Sequence, residues 1–395
     1  MDSVKTAFAQ TPLFAIIEDS IRNSILAGRL ENGSKLSAIS FYHYMTLCLY
    51  HPEFGYYRSG SSKVGRNGDF YTSAYVGELM GDQLASELSR LAEQWFPGEE
   101  SVNVLDWGGG TGRLGRQMMD SWNGIGDDGP GPERGLKGFT LTVVEGNPEH
   151  RRLAFEELEP YIEAGKARVL DNETGVNIPM GEQPTIIVAN ELLDAFPVHR
   201  LVWRDGKLQE WGVALNEAGG GFVRCLMEPT NPRLPEWVRD EQIALLDNQT
   251  FEVNLDAADW VADLSERLER AILVIIDYGD ETEELIAPHR MDGTMLCYRQ
   301  HRAHNDPFEA PGEQDLTSHV NFSHIRRIAA IHGWTERWYG SQKKFLVDSG
   351  ILQKLSAHAI TDPFHPMVRR NRAIRQLLLS DGMSELFKVQ ILVRT

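Results

Sequence analysis

With 395 residues, 42% apolar and 9% aromatic, the chain has material for one large core with a satellite lobe or for two modest domains. Its 57 acidic against 39 basic side chains give a net charge of −18, which disfavours a nucleic-acid backbone as partner and suits a basic or cationic one. Cys48, Cys225 and Cys297 show no C-x-x-C spacing, so neither a disulfide framework nor a zinc site is expected and a reducing cytoplasm is the default.

Apolar spacing over residues 11–30 reads as a helix. It carries Glu18, Asp19 and Arg22, which a signal-peptide core or a membrane span would not tolerate. The longest apolar run, AILVII at 271–276, is strand-sized and far short of the roughly 20 residues needed to cross a bilayer. No membrane association is expected. A second helix over FYHYMTLCLYHP is ended by Pro52. The glycine- and serine-rich stretch at 53–73 lacks periodicity and reads as a functional loop, and helical spacing resumes over 76–95.

From Val102 to Asp277 strand and helix patterns alternate, the signature of a parallel sheet covered by helices. The first strand ends at Asp106, and Gly108, Gly109, Gly110 and Gly112 follow at once. Missing Cβ atoms let backbone N–H groups approach a ligand there. The second strand, Phe139 to Val144, ends at Glu145, an acid suited to both hydroxyls of a ribose. ARVL ends at Asp171 and Asn172, and the fourth strand, Thr185 to Ala189, ends at Asn190 and Glu191.

The glycine loop and Glu145 suit NAD and S-adenosylmethionine equally. Asn190 and Glu191 favour S-adenosylmethionine, a compact cation with an amino-acid tail and no pyrophosphate. Asp106 would then take the ammonium, Gly108, Gly110 and Gly112 would admit the methionine portion, Glu145 would hold the ribose and Asp171 or Asn172 the adenine edge.

After the fourth strand, VHRLVW, LQEWGVAL and FVRCLM form short alternating segments, with a hairpin signal at Asp205-Gly206. They read as a β-meander inserted at about 198–255. A helix over 255–270 leads to the fifth strand. GTMLCYRQH, GWTERWYG and LFKVQILVRT read as strands. His319 and His324 are five apart, poor spacing for two ligands on one helix face, and no metal is expected.

LYHPEFGYY, KVGRNGDFYTS, the glycine loop, VVEGNP, ANELLDAFPV, IDYG, DLTSHVNF and SQKKFL occur in the order seen in MidA-like methyltransferases, bacterial relatives of the mitochondrial complex I assembly-factor methyltransferase. The chain resembles that family from about Ser37 onwards. It departs where Ser73, Ala74 and Tyr75 replace the usual Ser-Pro-Glu, and where Asp106 replaces a glutamate.

The resemblance implies an α/β fold, a Rossmann-like class I methyltransferase sheet whose last two strands, drawn from GTMLCYRQH, GWTERWYG and LFKVQILVRT, form an antiparallel hairpin on one edge, with an N-terminal helical cap and cofactor-covering loop (1–100) on an S-adenosylmethionine-binding domain (101–395). It also implies methylation of a protein, at arginine in the mitochondrial relative. Gly68, Asp69, Phe70 and Thr72 of the specific GDFYTS motif would fold over the cofactor. Glu191 and Asp194 would hold a guanidinium by paired, charge-assisted hydrogen bonds. The rival readings are an NAD-dependent oxidoreductase, whose G-x-G-x-x-G fingerprint reads as broken at the third glycine after Gly108 and Gly110, a small-molecule methyltransferase and a non-catalytic binding protein that keeps the fold.

Overall fold

The computed structural model describes residues 11–58, 79–125, 138–176, 181, 183–216, 220–357, 360–362, 364–379 and 383–395. The chain begins with α1 (Pro12–Arg22), β1 (Ala27–Arg29), β2 (Lys35–Ser40), α2 (Phe41–Tyr50) and α3 (Leu79–Trp95). An alternating stretch follows: β3 (Ser101–Trp107), α4 (Arg113–Trp122), β4 (Gly138–Val144), α5 (Pro148–Glu163), β5 (Ala167–Leu170), α6 (Asn172–Val176) and β6 (Thr185–Asn190). Next come β7 (His199–Arg204), β8 (Lys207–Leu215), β9 (Phe222–Met227), α7 (Arg233–Asp240), β10 (Thr250–Val253), α8 (Leu255–Arg267) and β11 (Ala271–Asp280). The remainder holds α9 (Thr282–Leu285), β12 (Leu296–Arg299), β13 (Arg302–His304), β14 (Asp315–Thr317) and β15 (Val320–Asn321). It ends with α10 (Phe322–Ile331), β16 (Thr335–Ser341), α11 (Gln342–Asp348), α12 (Pro366–Leu379), α13 (Met383–Leu386) and β17 (Phe387–Arg394).

The chain packs as two compact units. One gathers Met1–Ser59, Asp194–Asp259 and Asp280–His324; the other gathers Gly60–Leu193, Trp260–Gly279 and Ile325–Thr395. A single boundary near residue 100 therefore does not describe the packing, because the inserted strands pair with strands near the N-terminus. Residues 11–30 are not one helix either. Pro12 starts α1, Leu13, Ile17 and Ile21 bury one stripe, and the helix stops at Arg22 before β1.

In this first unit the strands run β10-β7-β8-β2-β1-β9, and β9 also pairs with β8, so β8, β2, β1 and β9 close on themselves. Closure leaves those four strands without a free edge. Asp205 (φ 55°) and Gly206 (φ 74°) both take left-handed backbone and join β7 to β8 in the expected hairpin, with Arg204 opposite Lys207. β12 joins β13 and β14 in a separate three-stranded sheet, so GTMLCYRQH does not contribute to the edge of the main sheet.

In the second unit the order is β16-β17-β11-β6-β3-β4-β5. β5, β4, β3, β6 and β11 are parallel, whereas β17 and β16 close the edge as an antiparallel pair. Val102 and Val104 of β3, Leu141 and Val143 of β4, and Met118 and Met119 of α4 bury together on one face. The chain leaves β3 towards β4 and β5, then returns past it to β6 and β11. That reversal between β3 and β6 opens a crevice at the carboxyl ends of the strands, where α/β sheets bind ligands.

Candidate active site

Each of the crevice-lining strands delivers its polar residues at its carboxyl end. Beyond β3, the Gly108 N–H donates to the Val144 carbonyl at 2.7 Å and the Gly112 N–H to the Gly109 carbonyl at 3.0 Å, which folds the glycine loop tightly. The glycines do different jobs. Gly108, Gly110 and Gly112 hold φ at 74°, 56° and 76°, a region that favours glycine. A Cβ on Gly108 would lie 2.9 Å from Leu192 in the turn after β6, and one on Gly110 would meet no described atom within 4 Å. Gly112 caps α4, and a Cβ there would press on the Ala154 backbone of α5 at 3.0 Å. A Cβ on Gly109 would stand 2.7 Å from Asp106 Oδ2, and one on Gly115 would stand 2.8 Å from Leu141.

The sequence reading left out Gly115. With Gly110 and Gly112 it completes G-x-G-x-x-G spacing, whose third glycine serves close helix–strand packing. Glycine spacing alone therefore does not choose between cofactors.

Glu145 is buried beside this loop. Its Oε2 accepts the Gly110 N–H at 2.8 Å and its Oε1 the Asn147 N–H at 2.7 Å. A carboxylate has about four acceptor positions, so both oxygens keep capacity for a ligand hydroxyl. Asp106, 1% exposed, lies under the loop, and its Oδ2 finds no hydrogen-bond partner among the described residues. Burial, and then the charge of Glu145, push the Asp106 carboxyl up to about 7. Asp171 accepts the Thr174 N–H at 2.6 Å and so starts the short α6, and a Cβ on neighbouring Gly146 would meet Asn172 at 2.8 Å.

At the end of β6, Asn190 donates to Glu191 Oε1 at 3.3 Å, while its own Oδ1 is buried without a hydrogen bond among the described residues. Glu191 adopts φ 52°, an uncommon left-handed conformation for a non-glycine residue, and its N–H donates to the Ile276 carbonyl at 2.9 Å. Asp277, fully buried in β11, holds the next residues: Oδ2 accepts the N–H groups of Leu192 at 3.1 Å and Leu193 at 2.9 Å. Nothing in the sequence gives Asp277 this role, because the chain does not reveal which loop a neighbouring strand reaches.

Asp194 belongs to the first unit, where it is buried and its carbonyl accepts the Ser318 N–H at 3.0 Å. In that unit the Tyr57 hydroxyl donates to Asp315 Oδ1 at 2.8 Å, and burial, with Asp315 and Asp194 nearby, raises the Tyr57 phenol well above its ordinary value. Gly68, Asp69, Phe70 and Thr72 lie outside the described residues. Among the described residues, no group of three or more histidine, cysteine or acidic side chains is arranged to hold a metal.

The second unit thus sets Asp106, Glu145, Asp171, Asn190 and Glu191 at the strand ends of one sheet, with two buried oxygens, Asp106 Oδ2 and Asn190 Oδ1, left without partners among the described residues. Those oxygens fit the ammonium and polar edges of a cationic amino-acid tail, and Glu145 fits a ribose diol.

Strand order, the glycine turn and this acceptor row define a class I methyltransferase fold. The chain belongs to the family described as "Putative S-adenosyl-L-methionine-dependent methyltransferase", whose model matches residues 79–340. A protein arginine methyltransferase homologue, mitochondrial, from Drosophila melanogaster is 27% identical over 318 residues, covering 73% of this chain and 66% of that protein. The Danio rerio protein arginine methyltransferase, also mitochondrial, is 25% identical over 334 residues, with 78% and 73% covered. A crystal structure from Burkholderia thailandensis, bound to S-adenosyl-homocysteine, is 28% identical with a TM-score of 0.81, covering 97% of this chain and 92% of that one.

Proposed function

We propose that this methyltransferase modifies an arginine side chain of a protein. Glu191 carries the reading: a carboxylate in left-handed backbone, next to Asn190 and at the carboxyl end of the central strand β6. Strained backbone of this kind concentrates at functional positions. The names of relatives at about 25% identity support arginine as the acceptor.

S-adenosylmethionine supplies an electrophilic methyl group on a good leaving group. What remains for the protein is alignment and proton control. Glu145, Asp106 and Asn190 would hold the cofactor, and Asp171 its adenine edge. Glu191 would accept hydrogen bonds from the guanidinium, fix its plane and leave a lone pair on one nitrogen. Arginine is too weakly acidic for a base to act first, so its proton leaves late.

Asp194, three residues on in the chain, is the second proposed substrate carboxylate. A cytoplasmic, reducing location also belongs to this reading and is supported by three buried free cysteines.

The test is transfer of tritiated methyl from S-adenosylmethionine into the proteome of a strain lacking the protein, followed by amino-acid analysis. Methylarginine is expected from the wild type. Glu191→Gln and Asp194→Asn should each cut the rate roughly ten- to a hundredfold, the equivalent of a charged hydrogen bond. Label in another amino acid, or only in small molecules, would replace arginine as the acceptor.

A further inference from the structure

We infer that Asp277 is a positioning residue for methyl transfer, acting through the turn that carries Glu191. The inference rests on the reading of Glu191 as the substrate-side carboxylate, and its geometry lies wholly within the second unit. β11 runs parallel to β6, with Ile276 opposite Asn190, so Asp277 stands level with the end of β6. Its Oδ2 accepts the Leu192 and Leu193 N–H groups at 3.1 and 2.9 Å, and its Oδ1 accepts the Tyr278 N–H at 2.8 Å.

With the Glu191 N–H on the Ile276 carbonyl, three successive amides after β6 are tied to β11. A left-handed glutamate is costly and persists only where its surroundings over-determine it. Here the surroundings are these amide contacts together with Leu192, which packs so closely over Gly108 that a Cβ there would be 2.9 Å away. Both oxygens of Asp277 are occupied by donors. An asparagine would turn an N–H₂ group against one of them, so the acidic form is required rather than merely size. Of the residues placed on the cofactor, Asp106 and Glu145 stand at the ends of β3 and β4, and Asn190, the last residue of β6, precedes the three tied amides, so loss of Asp277 should move the turn and largely leave cofactor binding in place.

Two variants test this, Asp277→Asn and Asp277→Glu, the second keeping the buried carboxylate but displacing it by one methylene. Hydrogen exchange should quicken at the Leu192 and Leu193 amides in both. Affinity for S-adenosylhomocysteine should stay within about threefold of wild type. Tritiated methyl transfer into the deletion-strain proteome should fall at least tenfold, and the Glu191→Gln/Asp277→Asn double variant should be no slower than the slower single variant.

Unchanged exchange at 192 and 193 would overturn the positioning role whatever the activity. So would rate losses that multiply in the double variant, an equal loss of cofactor affinity and rate, or failure of both variants to fold. If Glu191→Gln transfers methyl groups normally, the reading of Glu191 falls instead, and the exchange data still decide whether Asp277 holds the turn.

Discussion

Asp106 is the residue whose environment makes the sharpest demand. Its carboxyl is raised to about 7 by burial and by the Glu145 charge, against about 3.9 for an ordinary aspartate. A carboxyl raised in the folded state contributes stability below its unfolded value and loses that contribution as pH rises through the folded value. The protein without cofactor should therefore lose thermal stability between about pH 4 and pH 7 from this group. Asp106→Asn, which carries no charge there, should flatten that part of the profile while weakening cofactor binding. Scanning calorimetry across the interval checks it, and an identical slope in the variant would mean that Asp106 is not the titrating group.

Among the elements, the β3–α4 turn separates glycines needed for conformation from glycines needed for space. Gly110→Ala meets no described atom, so it should cost only the left-handed strain, about 1–2 kcal/mol. Gly112→Ala adds a 3.0 Å approach to the Ala154 backbone and should be the more destabilising of the two by roughly another 1–3 kcal/mol. Urea unfolding of the pair decides it; equal losses would mean that α5 yields freely.

The same turn was legible in the sequence because strand, glycines and helix are local. So were β4 with Glu145, β6 with Asn190 and Glu191, and the Asp205-Gly206 hairpin. β1 was not: Ala27–Arg29 is three residues long and owes its strand conformation to β2 and β9, the latter nearly two hundred residues on. Asp277 escaped for the same reason, since its meaning lies in the register of β11 against β6. The separate sheet of β12, β13 and β14 likewise depends on pairings that no local pattern announces.

For the whole molecule, the reversal of strand order between β3 and β6 places the acceptor row in one crevice, in a chain whose net charge of −18 suits a cationic cofactor and a basic acceptor. The family match identifies the cofactor, and the glycine spacing, which NAD proteins share, does not. The central claim is that this crevice holds S-adenosylmethionine through Glu145. Calorimetric titration with S-adenosylhomocysteine tests it on the wild type and on Glu145→Ala, with NAD as the control ligand. The wild type should bind S-adenosylhomocysteine and not NAD, and folded Glu145→Ala should bind it roughly ten- to a hundredfold more weakly, since both a ligand contact and the tether of the Gly110 N–H are lost. Equal affinity in the folded variant, or preference of the wild type for NAD, would contradict it.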